Sequence, residues 1–279
     1  MARSSGGRPV RSSHPSWPPL RVRAVLNGLV AAAAGIGLLW LTWGALDFTV
    51  YDASGVPAPV RVIALWFAVG LPIAWLAIGL HLLVALYAAR IAHATGKADY
   101  WPLSCLLHAA LAALWLSADL FNLYVTLELL SLVAVALVSL AGRKAWKPAL
   151  NYLLLSLAGS LAYLLGVALL YGRYGLLDLA LLARLSEADG ATHLALLLMS
   201  VGLMLKAALW PLHLWLPPAH AAAPTAVSAL LSALVVKGPL YILWLIWSEI
   251  APAEFGRDAG LLFGTAGVLA LVAGGWSAL

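Results

Sequence analysis

The sequence predicts an all-α membrane protein, a polytopic transmembrane helix bundle of about eight spans. Of its 279 residues, 64% are hydrophobic and only 10% are charged, whereas soluble domains carry about 25% charged residues. The mean hydropathy is +0.98. The apolar runs are continuous and rich in Leu and Ala, which argues against the short alternating segments of a β-barrel. The spanning elements are therefore predicted to be helices, which satisfy their own backbone hydrogen bonds where lipid offers no partner.

Eight apolar runs each reach or approach the ~20 residues that cross a bilayer. They lie at about 24–46, 62–89, 102–118, 120–141, 149–171, 192–210, 225–247 and 259–279. Residues 117–119 separate the third run from the fourth, which predicts a tight turn between antiparallel helices. The short amphipathic segment 175–187 is expected to lie along the outer membrane surface, with Asp178 near its start as a cap.

Basic side chains are concentrated on one side of the predicted bundle. Segments on the N-terminal side hold ten Lys or Arg residues and one acidic residue, whereas the opposite side holds four basic and nine acidic residues. This asymmetry follows the positive-inside rule and predicts a cytoplasmic N-terminus. Residues 1–23 are rich in Pro, Ser and Arg, which predicts a disordered basic tail before a transmembrane domain at 24–279. The net charge of +5 therefore needs no nucleic-acid partner.

Three charged residues, Glu128, Lys206 and Lys237, lie inside apolar runs. A charge near the bilayer centre costs about 2.5–3.5 kcal/mol, so such residues usually face the bundle interior or a wet path. A buried Glu–Lys pair suits proton movement. A nearby carboxylate keeps the lysine charged, and separation of the two groups lets the lysine release its proton. The alternative is a static ion pair that fixes helix packing.

Hydroxyl groups close to these charges in sequence could hold water. Thr126 and Ser131 flank Glu128, Ser228 and Ser232 precede Lys237, and Tyr241 follows Lys237 by one turn.

A discontinuous, Pro-broken helix is predicted after Lys206. Four prolines fall within residues 211–224, where the chain stays apolar but cannot continue a regular helix. Broken helices of this kind mark ion and substrate sites in transporters; the alternative is a buried turn that links two spans. His213 and His220 follow Lys206 at intervals of seven, and would share its face only on an unbroken helix.

Other candidate sites have less support in the sequence. His81 and His108 are lone histidines on apolar helices, where packing or a hydrogen bond to a neighbouring helix is the expected role. The single cysteine, Cys105, excludes an intrachain disulfide and a Cys-based metal site. No His or carboxylate cluster has metal-ligand spacing, so we expect no metal and no cofactor.

Two stretches resemble one family, the antiporter-like proton-translocating membrane subunits. They are DLFNLYVTLEL at 119–129 and KAALWPLHLWLPPAHAAAPTAVSALL at 206–231. The family includes the D-type component of the Mrp sodium/proton antiporter, the M, N and L components of complex I (the NADH-quinone oxidoreductase) and counterparts in membrane-bound hydrogenases. DLFNLYV and the VVK motif at 235–237 are most similar to the Mrp D-type branch. The resemblance covers about residues 75–279.

The resemblance implies a proton path through Glu128 of the fifth helix, Lys206 of the broken seventh helix and Lys237 of the eighth. Further candidate members of this path are His213, His220, Ser232 and Tyr241. The resemblance also implies about fourteen helices with two inverted five-helix repeats. Residues 102–247 would be the first repeat and 259–279 the start of an incomplete second one, so we expect the chain to be a fragment.

The leading interpretation is a proton-translocating subunit of a multisubunit cation/proton antiporter in the bacterial inner membrane. Its partners would be other membrane subunits, lipid, protons and, as the candidate coupled ion, sodium. A proton-pumping subunit of an NADH-quinone oxidoreductase or hydrogenase complex is the first alternative, with no catalytic site of its own. A scaffold with static ion pairs is the second, and an intramembrane enzyme that uses His213 and His220 is the third.

Overall fold

The computed structural model describes residues 71–90 and 99–278, and the helices there confirm the all-α prediction. The helices are α1 (Leu71–Arg90), α2 (Tyr100–Trp115), α3 (Leu120–Ser139), α4 (Trp146–Tyr174), α5 (Leu179–Leu185), α6 (Gly190–Lys206), α7 (Leu216–Ala222), α8 (Thr225–Leu230), α9 (Lys237–Leu245) and α10 (Gly256–Ala278). Two π-helical segments, Leu231–Val235 and Ile246–Ile250, follow α8 and α9.

Seven of the eight predicted apolar runs coincide with apolar helices in the described part of the chain. Four helical segments are long and apolar enough to cross a membrane: Leu120–Ser139, Arg143–Tyr174, Thr225–Ile250 and Ala253–Val272. Three shorter apolar helices complete the set: Trp75–Ala89, Tyr100–Trp115 and Gly190–Lys206. The predicted tail 1–23 and first span 24–46 lie outside the described residues, and the division into inverted repeats stays a prediction.

The predicted boundaries differ most at the third and fifth runs. The third run was expected to reach residue 118, but α2 ends at Trp115, because Asp119 already has the extended backbone of an N-cap for α3. The fifth run was expected at 149–171, but α4 extends from Trp146 to Tyr174. It stops where Gly175 adopts a φ of 72°, a left-handed conformation that glycine tolerates best.

Aspartate side chains cap three helices at the predicted outer side. Asp119 accepts hydrogen bonds from Phe121 N and Asn122 N, both at 2.9 Å, and so starts α3. Asp178 accepts from Leu181 N at 2.9 Å, which confirms it as the cap of the short helix α5. Each such cap stabilises a helix by about 1 kcal/mol.

The loops that enter α3 and α5 are joined by a short backbone bridge. Leu120 N donates to Leu177 O and Leu179 N donates to Ala118 O, both at 3.0 Å. The bridge holds the start of α5 against the start of α3.

The third cap carries an ion-pair cluster. Asp189 starts α6 by accepting from Thr192 N at 2.7 Å, and Arg173 of α4 donates to Asp189 and Glu187 at 2.8 and 2.7 Å. The Thr192 backbone bond and the Arg173 guanidinium hold the pKa of Asp189 at about 2, below its usual range. The cluster ties the C-terminal end of α4 to the N-terminal end of α6.

Helices α4 and α6 approach each other closely along a strip of glycines. A Cβ added to Gly159 would lie 2.7 Å from the carbonyl oxygen of Gly202 and 3.4 Å from Lys206 Cγ. Gly166 is equally tight, since a Cβ there would lie 2.5 Å from Ala195 O. Small residues let membrane helices pack at this distance, and here they bring α4 beside the C-terminal end of α6, where Lys206 lies.

Candidate functional site: a buried lysine at a broken helix

The predicted helix break is present. Helix α6 ends at Lys206, residues 207–215 form turns, and α7 is followed by an extended connection at 223–224 before α8 begins. Trp215 supports this irregular stretch, because its indole N–H donates to the Leu205 carbonyl oxygen at 2.8 Å. Its ring also stacks on Tyr152 of α4, with ring centroids 4.1 Å apart. Trp215 therefore packs the irregular stretch against α4 and the end of α6.

The ammonium group of Lys206 has a partner for each of its three N–H donors. It lies 3.1 Å from Glu128 Oε1, 2.8 Å from Ser131 Oγ and 3.0 Å from Ser156 Oγ. The lysine side chain is only 2% exposed, whereas the Glu128 side chain is 21% exposed. This arrangement stabilises the charged lysine inside the bundle and leaves the carboxylate as the more accessible member of the pair.

The hydroxyl groups around Lys206 form a connected hydrogen-bond network. Ser156 donates to Ser131 Oγ at 3.0 Å, and Ser131 donates to the carbonyl oxygen of Leu127 at 2.9 Å. Ser160 donates to Glu128 Oε1 in a close contact. Every hydroxyl in the network therefore has a donor or acceptor role that agrees with a charged Lys206 and an ionised Glu128.

Two members of this network were not predicted from the sequence. Ser131 was proposed near Glu128, and it lies there, but Ser156 and Ser160 of α4 were missed. Their spacing of four residues within an apolar span, on either side of Gly159, was the available signal. The Thr126 hydroxyl donates to the carbonyl oxygens of Asn122 and Leu123 in its own helix, and the expectation that it could hold water stays a prediction.

The expectation that Lys237 is buried is wrong for the described structure. Gly238 packs towards Leu114 and Leu130, so the preceding residue turns away from the bundle core. Lys237 is exposed, and lies in an apolar groove of about 620 Å³. Lys237 forms no ion pair and no side-chain hydrogen bond with any residue in the described ranges 71–90 and 99–278. The groove is lined by Leu76, Leu80, Ala233, Leu240, Tyr241 and Trp244.

The remaining predicted path residues are spread over the second half of the broken region. Tyr241 is 7% exposed and shares the groove with Lys237, whereas Ser232 is exposed. His220 Nδ1 lies 2.7 Å from Ser228 Oγ, which links α7 to α8. His213 has a buried Nδ1 with no partner among the described residues. Because α6 stops at Lys206, the seven-residue spacing does not align these histidines with it.

His81 and His108 pack against each other across two neighbouring helices, which agrees with the packing role expected for them. Their ring centroids are 4.9 Å apart, between α1 and α2. Among the described residues, no group of three or more His, Cys, Asp or Glu side chains could hold a metal ion.

Proteins of known name resemble this chain over most of its length. It is 34% identical over 239 residues to the N component of NADH-quinone oxidoreductase from Desulforudis audaxviator, which is 77% of this chain and 46% of that protein. It is 31% identical over 261 residues to the D component of a probable K(+)/H(+) antiporter from Rhizobium meliloti, covering 88% and 46%. It is 32% identical over 232 residues to the D component of a Na(+)/H(+) antiporter from Bacillus subtilis, covering 79% and 46%. The chain thus spans about half the length of these relatives.

Solved structures share the fold. A chain of the archaeal membrane-bound sulfane sulfur reductase matches with a TM-score of 0.66 and 25% identity, over 88% of this chain and 55% of that one. A chain of the Mrp complex from Dietzia matches with a TM-score of 0.57 and 26% identity, over 83% and 48%. A chain of respiratory complex I from Thermus thermophilus also gives 0.57, with 28% identity over 84% and 53%.

The family assignment follows from the transmembrane segment that carries the Lys206 network. Residues 117–279 match the family described as NADH:quinone oxidoreductase/Mrp antiporter, transmembrane, and this range is more than half of the chain. The chain belongs to this family of membrane proteins.

Proposed function

We propose that this chain is the proton-relaying part of a membrane subunit in a multisubunit cation/proton antiporter. The observation that carries the proposal is the Lys206–Glu128 ion pair next to the broken helix. Its lysine is buried and donates hydrogen bonds to two serines. Buried titratable groups of this kind form proton relays in membrane pumps and transporters. The names of the Rhizobium meliloti and Bacillus subtilis relatives support the antiporter assignment.

The geometry supports a relay in which separation of the pair releases a proton. While Glu128 lies 3.1 Å away, its negative charge favours the ammonium form of Lys206. Movement of the carboxylate would leave an uncompensated buried charge, which costs about 3–5 kcal/mol. Lys206 would then give its proton to a neutral acceptor, with Lys237 as the next station and Glu128, the more exposed member, as the uptake site.

A specific observation also favours a second function, a proton-pumping subunit of a redox-driven complex. The relative that is 34% identical is the N component of an NADH-quinone oxidoreductase. The chemistry at Lys206 would be the same in both cases, and only the energy source would differ. Everted vesicles distinguish the two: an antiporter dissipates a pH gradient on addition of sodium or potassium, whereas a redox complex generates one on addition of an electron donor.

The first prediction concerns Lys206 itself. In the native complex, Lys206→Ala should reduce proton flux in everted vesicles to the level of vesicles without the complex, because Glu128 then has no buried partner with which to exchange a proton. Lys144→Ala is the matched control, since Lys144 is an exposed lysine at the predicted cytoplasmic side. Unchanged flux in Lys206→Ala vesicles, with normal amounts of assembled complex, would contradict the proposed role and favour the static scaffold.

We further propose that the protein lies in the bacterial inner membrane with a cytoplasmic N-terminus and other membrane subunits as partners. The excess of basic residues at the N-terminal side supports this orientation. Replacing Cys105, the one cysteine, by Ser and introducing a cysteine at Ser5 allows a direct measurement. A membrane-impermeant thiol reagent should label Ser5→Cys in everted vesicles and not in intact spheroplasts; the opposite pattern would reverse the topology.

A further inference from the structure

A second pair of titratable side chains lies in the bundle, outside the Lys206 network. His81 of α1 and His108 of α2 face each other with ring centroids 4.9 Å apart and planes inclined by 50°. The two residues are 1% and 2% exposed, so neither reaches the surface of the protein. Both lie near the middle of their helices, at a distance from either helix end.

The ring nitrogens of this pair lack partners in the described part of the chain. His81 Nδ1 and both nitrogens of His108 are buried without a hydrogen bond. A neutral imidazole has one N–H donor and one acceptor nitrogen, and each buried group left unsatisfied costs about 1–3 kcal/mol. Two apolar side chains would pack in this space without that cost. The unsatisfied nitrogens therefore indicate that the two histidines have a role beyond helix packing.

Residues close in sequence to His81 and His108 lie at or near the groove that contains Lys237. Leu80, next to His81, lines that groove together with Lys237. Leu111, one turn after His108, lies 3.9 Å from the Cβ position of Gly238, the residue that follows Lys237. His81 and His108 therefore lie on two helices of which one lines the groove and the other packs against the residue after Lys237.

No charged or titratable group of the described residues occupies these three ring nitrogens. α1 packs on α2, α8 and Leu231–Val235, and α2 packs on α3 and α9. No titratable residue of these elements forms a hydrogen bond with His81 Nδ1 or with either nitrogen of His108. The titratable residues of these elements, besides the pair, are Tyr87, Arg90, Tyr100, Cys105, Tyr124, Glu128, Lys237 and Tyr241.

We propose that His81 and His108 form an additional proton-binding site, which holds one proton on either of the two imidazoles and exchanges it with Lys237. Two imidazolium ions at this distance would repel each other, so the pair holds one proton at most. In the exchange, an imidazolium N–H bond breaks and a neutral lysine amine, directly or through water, gains the proton and becomes ammonium. The net charge of the two sites together is unchanged. This inference rests on the proposed function, because it extends the same proton path.

Spectroscopy on the purified native complex tests the site without transport. Nitrogen-15 NMR of labelled histidine, recorded from about pH 5 to 8 where histidine normally titrates, should show one imidazolium signal for the pair. The double variant His81→Gln with His108→Gln should abolish that signal, because glutamine keeps hydrogen-bonding groups but does not titrate. His193→Gln, which changes a half-exposed histidine at the outer side, should leave it intact. Two rings that stay neutral over this whole range would overturn the proposal.

Transport measurements separate the pair from a packing role. The double variant His81→Phe with His108→Phe fills the space with apolar rings and removes the unsatisfied nitrogens, so the complex should assemble normally. We expect its proton flux to be reduced and its flux–pH profile to lose the step that the NMR titration defines. A profile identical to that of the wild type would overturn the proposal.

Lys206→Ala measured in parallel distinguishes the two hypotheses. If Lys206→Ala leaves the proton flux unchanged while the imidazolium signal of the histidine pair is observed, the proposed function fails and the histidine site stands. If Lys206→Ala abolishes flux while the histidines stay neutral, the histidine site fails and the proposed function stands.

Discussion

At the scale of the residue, the state of Lys206 depends on three oxygen atoms from three different side chains. Glu128 supplies charge, and Ser131 and Ser156 supply hydroxyl oxygens at 2.8 and 3.0 Å. A hydrogen bond to a charged group contributes about 1.5–3 kcal/mol, more than a bond between neutral groups. The two serines are therefore part of what keeps the ammonium charged in the bundle.

Removal of one serine hydroxyl should weaken both the fold and the relay. Ser156→Ala leaves one ammonium N–H without an acceptor, so we expect a lower thermal unfolding temperature in detergent and reduced proton flux. Ser139→Ala of α3 is the control, because that hydroxyl bonds only to the Ala136 carbonyl oxygen. Equal flux and equal stability for Ser156→Ala and Ser139→Ala would show that the second serine contact contributes nothing.

The capping carboxylate Asp189 predicts a pH dependence of stability at the start of α6. Its pKa of about 2 in the folded protein is lower than the ordinary value of about 3.9. A lowered folded pKa stabilises the fold above the ordinary value, and this contribution is lost as the pH falls from about 3.9 towards 2. Asp189→Asn should therefore lower thermal stability near neutral pH and flatten its decline in acid. Glu254→Gln, at an exposed carboxylate, should keep the wild-type decline; a wild-type decline in Asp189→Asn would contradict the assignment.

At the scale of the element, the position of Lys206 depends on how closely α4 approaches α6. The glycines of this interface, Gly159, Gly166 and Gly202, leave no space for a Cβ. Gly159 also borders the lysine side chain, because an added Cβ would lie 3.4 Å from Lys206 Cγ. The interface therefore fixes both the helix packing and the distance from Lys206 to the serines of α4.

An alanine at this interface should separate the helices. Gly159→Ala places a methyl group 2.7 Å from the Gly202 carbonyl oxygen, so the backbone must shift; overpacking of this kind costs about 1–3 kcal/mol. Gly172→Ala in the same helix meets nothing within 4 Å and should stabilise α4 by about 0.5–1 kcal/mol through helix propensity. Thermal unfolding of both variants in detergent measures the difference, and a loss of stability in both or in neither would contradict the close approach.

At the scale of the whole molecule, the described helices include one continuous buried site and one open groove. The Glu128–Lys206 network is enclosed by α3, α4 and the end of α6. Lys237 instead lies in a groove beside α1, exposed in the described structure. The chain spans about half the length of its relatives, so the complete path and its partners remain part of the proposal.

The sequence alone determined the class, most of the spans, the broken helix and the candidate residues Glu128 and Lys206. These features follow from local properties: continuous hydropathy, prolines within 211–224, and charges whose burial is costly wherever they lie. Only the tertiary structure decided which charges meet. It brought Ser156 and Ser160 to the lysine, joined His81 to His108 and turned Lys237 outward, because such contacts depend on helix rotation and on the glycine-mediated approach of α4 to α6. A linear pattern specifies which face of a helix is polar, but the partner of that face is set by packing between helices.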